Sequence, residues 1–371
     1  MVINFIKNFH IWGPSFIVSE IRRILDYRDA KSDMHIIFCI GDHFEPKWKN
    51  ADPDTEKKRV ERWVEKYPTL ASVHRDSNGR PVQHTWFYAV EEYNPQCVDS
   101  LNKLCSQGYG EIELHLHHGN DTPEGLRLKL AKAKTEFSRH GVFKTRDVTP
   151  RDAFGFIHGN WALNNARQGV HLCGVDNELK ILRDAGCYAD FSLPSAPHES
   201  QTRQINSIYY ARDIPGKRKS HDKGIAVEVR GEENGDLMLI QGPLALNWKR
   251  RKFGLFPGIE NGCIQQSSPG TPDRIDLWVR QHIHVQGRPE WFFIKLYCHG
   301  TQEVDEDSLL GAGAHRMFSY LEKKYNDGDH YMLHYVTARE MYNIVKAAEE
   351  GHTGSPFLYK DHIIKPYLNM R

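Results

Sequence analysis

Two histidines at i and i+2, with a third directly after them, close the segment Gly110-Glu-Ile-Glu-Leu-His-Leu-His-His-Gly-Asn-Asp121. Successive side chains of a strand point to opposite faces, so Ile112, Leu114 and Leu116 share one face and Glu113, His115 and His117 the other. Imidazoles at His115 and His117 can ligate one ion, and His118, opening the next loop, could swing in as a third ligand. The alternative is three histidines on a solvated loop, but their joint delivery by an apolar strand favours metal chemistry. A second segment, Phe38-Cys-Ile-Gly-Asp-His-Phe-Glu-Pro46, ends a buried type of strand at Asp42, with His43 and Glu45 following. A carboxylate at Asp42 could ligate a metal or take a proton from water, or it could simply cap the loop. A third segment, Trp291-Phe-Phe-Ile-Lys-Leu-Tyr-Cys-His299, delivers His299 and then Gly300. A fourth, Phe154-Gly-Phe-Ile-His-Gly-Asn-Trp161, offers His158 as ligand or proton donor, Asn160 as a hydrogen-bonding amide and Trp161 as a stacking surface or plain core. Aromatic and amide together suit a sugar ring. Histidine and carboxylate donors point to a divalent transition metal, zinc first, with manganese, iron, cobalt and nickel also compatible.

These residues need a scaffold that brings strand ends together. Short apolar runs that stop abruptly predict strands at Met34–Ile40, Thr85–Val90, Ile112–Leu116, Ala153–Ile157, Tyr188–Leu193, Leu237–Ile240, Phe292–Tyr297 and Tyr331–Val336. Helical spacing joins Val98, Leu101, Leu104 and Cys105, then Leu126, Leu130, Ala133 and Phe137, and later Met341, Ile344, Val345 and Ala348. Asp52–Pro53, Asn94–Pro95 and Thr122–Pro123 each place a capping side chain before a proline, and Thr337 with Glu340 has capping-box spacing. Strand, short loop, capped helix, strand is the grammar of parallel βαβ units. It predicts an α/β fold, a (β/α) barrel of seven or eight strands, with an open doubly wound sheet as the alternative. In a parallel barrel the strand C-termini form the reactive mouth. One barrel domain over residues 1–371 is expected, with 1–33 as an N-terminal helical extension and 198–290 as a β-containing insertion over the mouth. That insertion carries Trp248, Arg250 and Arg251, which could meet an anionic or nucleotide-linked sugar.

Composition narrows the function classes. Hydrophobic residues make up 39%, enough for a sizeable core, and 49 Lys plus Arg against 48 Asp plus Glu leave no basic field for nucleic acid. No apolar run is long enough to span a membrane, and no signal-peptide pattern opens the chain, so a cytoplasmic location is expected. Seven cysteines sit singly, without a Cys-x-x-Cys pair. Such usage fits a reducing compartment and argues against a disulfide framework and against a thiolate zinc site.

In the order of its motifs, over roughly residues 34–345, the chain resembles the polysaccharide deacetylase (NodB-like) family of metal-dependent carbohydrate deacetylases. Asp42–His43 stands where that family opens with an Asp-Asp pair, and Glu111-Ile-Glu-Leu-His115 matches its second motif. The family's second histidine would fall on Gly119, leaving His117 or His118 to substitute. His158-Gly-Asn-Trp161 replaces an Arg-Pro-rich strand end, and Leu296-Tyr-Cys-His299 matches the last motif. Leu179–Gly186 followed by Tyr188–Leu193 also looks like that family's recurrent helix and strand. The resemblance implies a divergent member that deacylates, by N-deacetylation, a sugar or sugar precursor of surface polysaccharide. It implies Asp42 as the base or a further ligand, His299 as the acid, and His43, His115 and His117 or His118 around the metal. His-x-His on a barrel strand also fits an amidohydrolase or phosphoesterase barrel, and a carbohydrate-binding barrel without catalysis is a third possibility.

Overall fold

The computed structural model describes residues 6–26, 33–145, 152–169 and 171–368. Its strands are β1 (Met34–Phe44), β2 (His84–Ala89), β3 (Gly110–Leu116), β4 (Phe154–His158), β5 (Cys187–Asp190), β6 (Ile208–Ala211), β7 (Ile225–Ala226), β8 (Leu237–Ile240), β9 (Ala245–Lys252), β10 (Phe256–Glu260), β11 (Cys263–Ile264), β12 (Trp291–Cys298) and β13 (Tyr331–Tyr335). The helices are α1 (Phe9–Asp26), α2 (Pro53–Ser72), α3 (Pro95–Ser106), α4 (Pro123–Ser138), α5 (Glu178–Asp184), α6 (Pro272–Gln281), α7 (Glu306–Leu310), α8 (Ala312–Tyr325) and α9 (Ala338–Glu349). The predicted caps do what their chemistry requires. The side chains of Asp52, Asn94 and Thr122 accept from the N–H groups of Thr55, Gln96 and Gly125, with proline in each first turn. Thr337 and Glu340 close a reciprocal capping box on α9.

Parallel pairing joins β12, β1, β2, β3, β4, β5 and β8 in that order. β1 is long enough to serve two neighbours along one edge, β13 through Met34–Phe38 and β2 through Gly41–Phe44. Side chains of strands that are not neighbours touch, which happens only if the sheet rolls up. A Cβ on Gly41 of β1 would lie 3.5 Å from Ile157 of β4, and the rings of Phe87 on β2 and Phe191, directly after β5, are 5.7 Å apart. At the seam between β8 and β12, where Gly242 packs on the Lys295 backbone, the Lys295 ammonium crosses to the carbonyls of Phe191 and Leu193, just after β5, at 2.7 and 2.6 Å. The fold is thus α/β with a largely parallel, barrel-like sheet. β6 pairs antiparallel with β7 and β8, and β9–β10 form a separate antiparallel hairpin within the inserted stretch.

Alternation along β1 decides where its residues go. Phe38 and Phe44 point outward, to Phe318 of α8 and Trp63 of α2. Cys39, Gly41 and His43 therefore point inward. The N-terminal ends of the strands are closed by charge pairs and the C-terminal segment. Arg339, fully buried on α9, donates to Glu111 at 2.7 Å, to Asp361 at 2.8 Å and to the Ile364 carbonyl at 2.6 Å. Glu113 accepts from Tyr188, Tyr367 and the Gly155 N–H at 2.7, 2.8 and 2.6 Å. Helix α1 buries Trp12 in a small apolar cluster with Ala196, Ile205 and Leu244. Among the described residues no helix is long and apolar enough to cross a membrane.

Candidate metal centre and active site

The C-terminal ends of β1, β3 and β12 deliver His43, His115 and His299 to one place. Ring centroids lie 4.8 Å apart for His43 and His115 and 4.9 Å apart for His43 and His299. Glu45 follows His43 on the same face, two residues on, and its Oε1 is 3.3 Å from His115 Nε2 and 3.8 Å from His117 Nε2. His43, Glu45 and His115 each offer one donor atom within 4.8 Å of the others. His117 sits at the rim, with 31% of its side chain exposed and its Nδ1 2.5 Å from Glu91. Gly159 makes room for it, since a Cβ there would stand 2.3 Å from the His117 ring.

The protonation logic of His115 tests whether these residues fit a metal. Its Nδ1 is 3.0 Å from the Ile157 carbonyl, which can only accept, so Nδ1 carries the hydrogen. In its neutral form His115 then turns an Nε2 lone pair, fully buried and without a well-formed hydrogen bond, to the Glu45 oxygen. Either a proton or a metal cation must lie between that nitrogen and the carboxylate. A cation satisfies both, and a histidine whose other nitrogen donates to a carbonyl is the usual form of a metal ligand. Burial, reinforced by His115 and His299, holds His43 well below the ordinary histidine range, so it too offers a lone pair. Burial would raise Glu45, but the hydrogen bond and charge of His115, with His117 and His299, outweigh it and keep it ionised. Two imidazoles and one carboxylate are a donor set used by catalytic zinc, which leaves a position open.

Several sequence expectations need correction. Asp42 does not join His43, because adjacent strand residues face opposite ways. Its carboxylate is fully buried on the helix side, accepting from the Gly300 N–H at 2.6 Å and lying 3.1 Å from His84 Nε2. With His84 and Cys298 it forms a separate buried group. His118 does not swing in beside His115 and His117. The alternation continues past β3 and turns it to the opposite side, where it meets His158, Cys173 and Glu178. His158 is fully buried there, not available to a substrate. No histidine could replace Gly119 on this backbone, because a Cβ would lie 1.9 Å from the His171 carbonyl. A cysteine also stands among histidines after all: single spacing along the chain hides what the fold brings together.

Trp161 is half-buried at the mouth, its ring 4.7 Å from that of His198 and 6.4 Å from that of Tyr297. Asn160 beside it has left-handed backbone, with φ of 58°. Trp248, 59% exposed, Arg250 and Arg251 lie on β9. Arg250 donates to Ser268 and the Ser267 carbonyl, and Arg251 to the Trp248 carbonyl. Those bonds tie the hairpin to itself and to the turn after β11, not to the histidine group. Glu45 is the residue that motif matching missed. The signal was its parity with His43, the same i, i+2 rule that picked out His115 and His117.

The sequence matches no family model and no curated protein. Among solved structures the chain is similar to a GH57 branching enzyme from the hyperthermophilic archaeon Thermococcus kodakaraensis, crystallised with glucose and additives. The identity is 10%, the match covers 87% of this chain and 72% of that one, and the TM-score is 0.39.

Proposed function

We propose that the protein is a metal-dependent hydrolase that removes an acyl group from a sugar or sugar precursor. The observation that carries this is the buried His115 Nε2 facing ionised Glu45, beside neutral His43, at the C-terminal ends of barrel strands. His43, Glu45 and His115 would hold a divalent metal, zinc first, which when bound supplies a polarised acyl carbonyl and a water acidic enough to attack near neutral pH. With Asp42 turned away, His299 and the rim residue His117 are left beside the ligands, and His299, the more deeply set, is assigned the proton transfer. It takes a proton from the attacking water and returns it to the departing amine or alkoxide. Asp42 holds the Gly300 N–H and so fixes the backbone next to His299; it positions and does not react. Trp161 gives the mouth an aromatic face against which a sugar ring can lie, in keeping with the resemblance to carbohydrate deacetylases.

The test joins metal analysis with turnover. Zinc-loaded protein should release acetate from N-acetylated sugars, and His115→Ala should abolish release and lose the mouth metal while keeping its fold. Phosphate release from phosphoesters without acetate release would replace deacylation by phosphoester hydrolysis. Loss of activity with metal content unchanged and a much lower melting temperature would make His115 a structural residue.

A further inference from the structure

On the far side of the β3 end lies a second group, chemically unlike the first. His118 follows β3, His158 ends β4, Cys173 comes from the loop before α5, and Glu178 opens α5. All four residues are buried, His158 and Glu178 completely and Cys173 to 1% exposure. His118 Nε2 is 3.0 Å and His158 Nε2 3.5 Å from Glu178 Oε1, and Cys173 Sγ is 3.5 Å from Glu178 Oε2. One donor atom from each lies within 4.8 Å of the others. Donors held about 2.0–2.3 Å from a zinc ion stand roughly 3.3–3.8 Å apart in a tetrahedron. The distances from the other three donors to the Glu178 carboxylate are near that spacing.

Two further observations point to a cation. His158 Nδ1 faces the Gly159 carbonyl and must donate to it, so Nε2 is a lone pair. That buried lone pair makes no hydrogen bond and is aimed at a carboxylate oxygen. The mouth shows the same pairing of a buried imidazole nitrogen with a carboxylate, made by different residues. The Cys173 thiol, which accepts from the Val175 N–H at 3.4 Å, faces Glu178 Oε2 at 3.5 Å, so the hydrogen it holds there is the one an ion would replace. Behind the donors, Asp121 lies 3.1 Å from His118 Nδ1, and the Asn164 N–H donates to Glu178 at 2.5 Å. Such backing groups orient ligands and raise their basicity.

We propose that His118, His158, Cys173 and Glu178 hold a second, structural zinc ion, separate from the metal of the mouth. Structural zinc sites are closed and use four protein ligands, whereas catalytic ones keep a position open. Full burial and four donors place this group in the first class. The ion would tie the ends of β3 and β4 to α5, across the stretch that carries Trp161. Binding replaces the acidic hydrogen of the Cys173 thiol and any on His118, so it releases protons.

Cobalt provides the test, because a thiolate ligand gives cobalt(II) a charge-transfer band in the near ultraviolet. The whole protein is loaded with cobalt(II), and spectrum and metal content are measured for wild type, His115→Ala and Cys173→Ala. The band is expected in wild type and in His115→Ala, with about one tightly held ion remaining in the latter. Cys173→Ala is expected to lose the band and that ion. Folded, cobalt-loaded wild type without the band would overturn the proposal, as would a folded Cys173→Ala with the wild-type spectrum. Loss of the mouth metal alone, with the band intact, bears on the proposed hydrolase and leaves this ion standing.

Discussion

At the scale of single residues the molecule is governed by parity. Asp42 and His43 are neighbours in sequence and face opposite sides of β1; His117 and His118 do the same beyond β3. Residue types and strand ends were legible from the chain, and so was the inward face of His115 and His117. Matching by motif position obscured it for β1, where it put Asp42 at the metal and passed over Glu45. Applied there, alternation would have paired His43 with Glu45. The mismatch has a measurable consequence. A general base is worth about a hundred- to ten-thousand-fold in rate. Asp42→Asn keeps an oxygen for the Gly300 N–H, so it should retain mouth metal and lose less than about tenfold in kcat, well short of what a base is worth. His299→Ala should also retain the metal but lose about a hundredfold or more. Steady-state kinetics beside metal content decides between them, and a collapse of Asp42→Asn with its metal still bound would restore Asp42 as the base.

At the scale of elements, strong local signals survived and weak ones did not. Capped, proline-started helices were legible because a cap is a contact between residues a few positions apart. The hairpin β9–β10 was not, because Trp248 to Lys252 has no apolar alternation; its strand is exposed beyond Asn247, and only Ala245 and Asn247 are buried. Helix α6 begins with Thr271–Pro272, the same start signal as the earlier helices, inside a stretch otherwise read as insertion. Helix α9 ties distant parts of the chain together. Its Arg339 reaches β3 through Glu111 and the C-terminal segment through Asp361 and Ile364. Removing one partner of a buried ion pair typically costs about 3–5 kcal/mol, because the other charge is left desolvated. Arg339→Ala should therefore lower the denaturation midpoint by a corresponding amount and expose the C-terminal segment to proteases. A midpoint within about 1 kcal/mol of wild type would mean that water replaces the guanidinium, as at a surface pair.

At the scale of the whole molecule, the barrel could be anticipated from the rhythm of strands and helices, but its closure could not. No local pattern says that β13 pairs with the first half of β1, or that Lys295 spans the seam, since both depend on how far the sheet twists before it meets itself. Nor does the chain announce that its C-terminal segment plugs the strand N-termini, where Tyr367 reaches Glu113. That plug makes global stability depend on pH with a definite sign. Burial, with the charge of Glu111 second, pushes the Glu113 carboxyl up to about 8 from its ordinary 4.5, despite its three donors. A carboxyl raised on folding binds its proton more tightly in the folded state. Its contribution is complete below the unfolded value near 4.5 and is lost as pH rises through the folded value near 8. Asp190, pushed up to about 7 by burial, acts in the same direction, so the informative quantity is a difference between two proteins. Glu113→Gln cannot ionise. The melting temperature of wild type should fall between pH 5 and pH 8.5 more steeply than that of Glu113→Gln, by about 2 °C or more, as on the order of 1 kcal/mol implies. Differential scanning calorimetry across that range measures it. Parallel slopes would show that Glu113 stays ionised in the fold, its charge carried by Tyr188, Tyr367 and the Gly155 amide rather than neutralised by a proton.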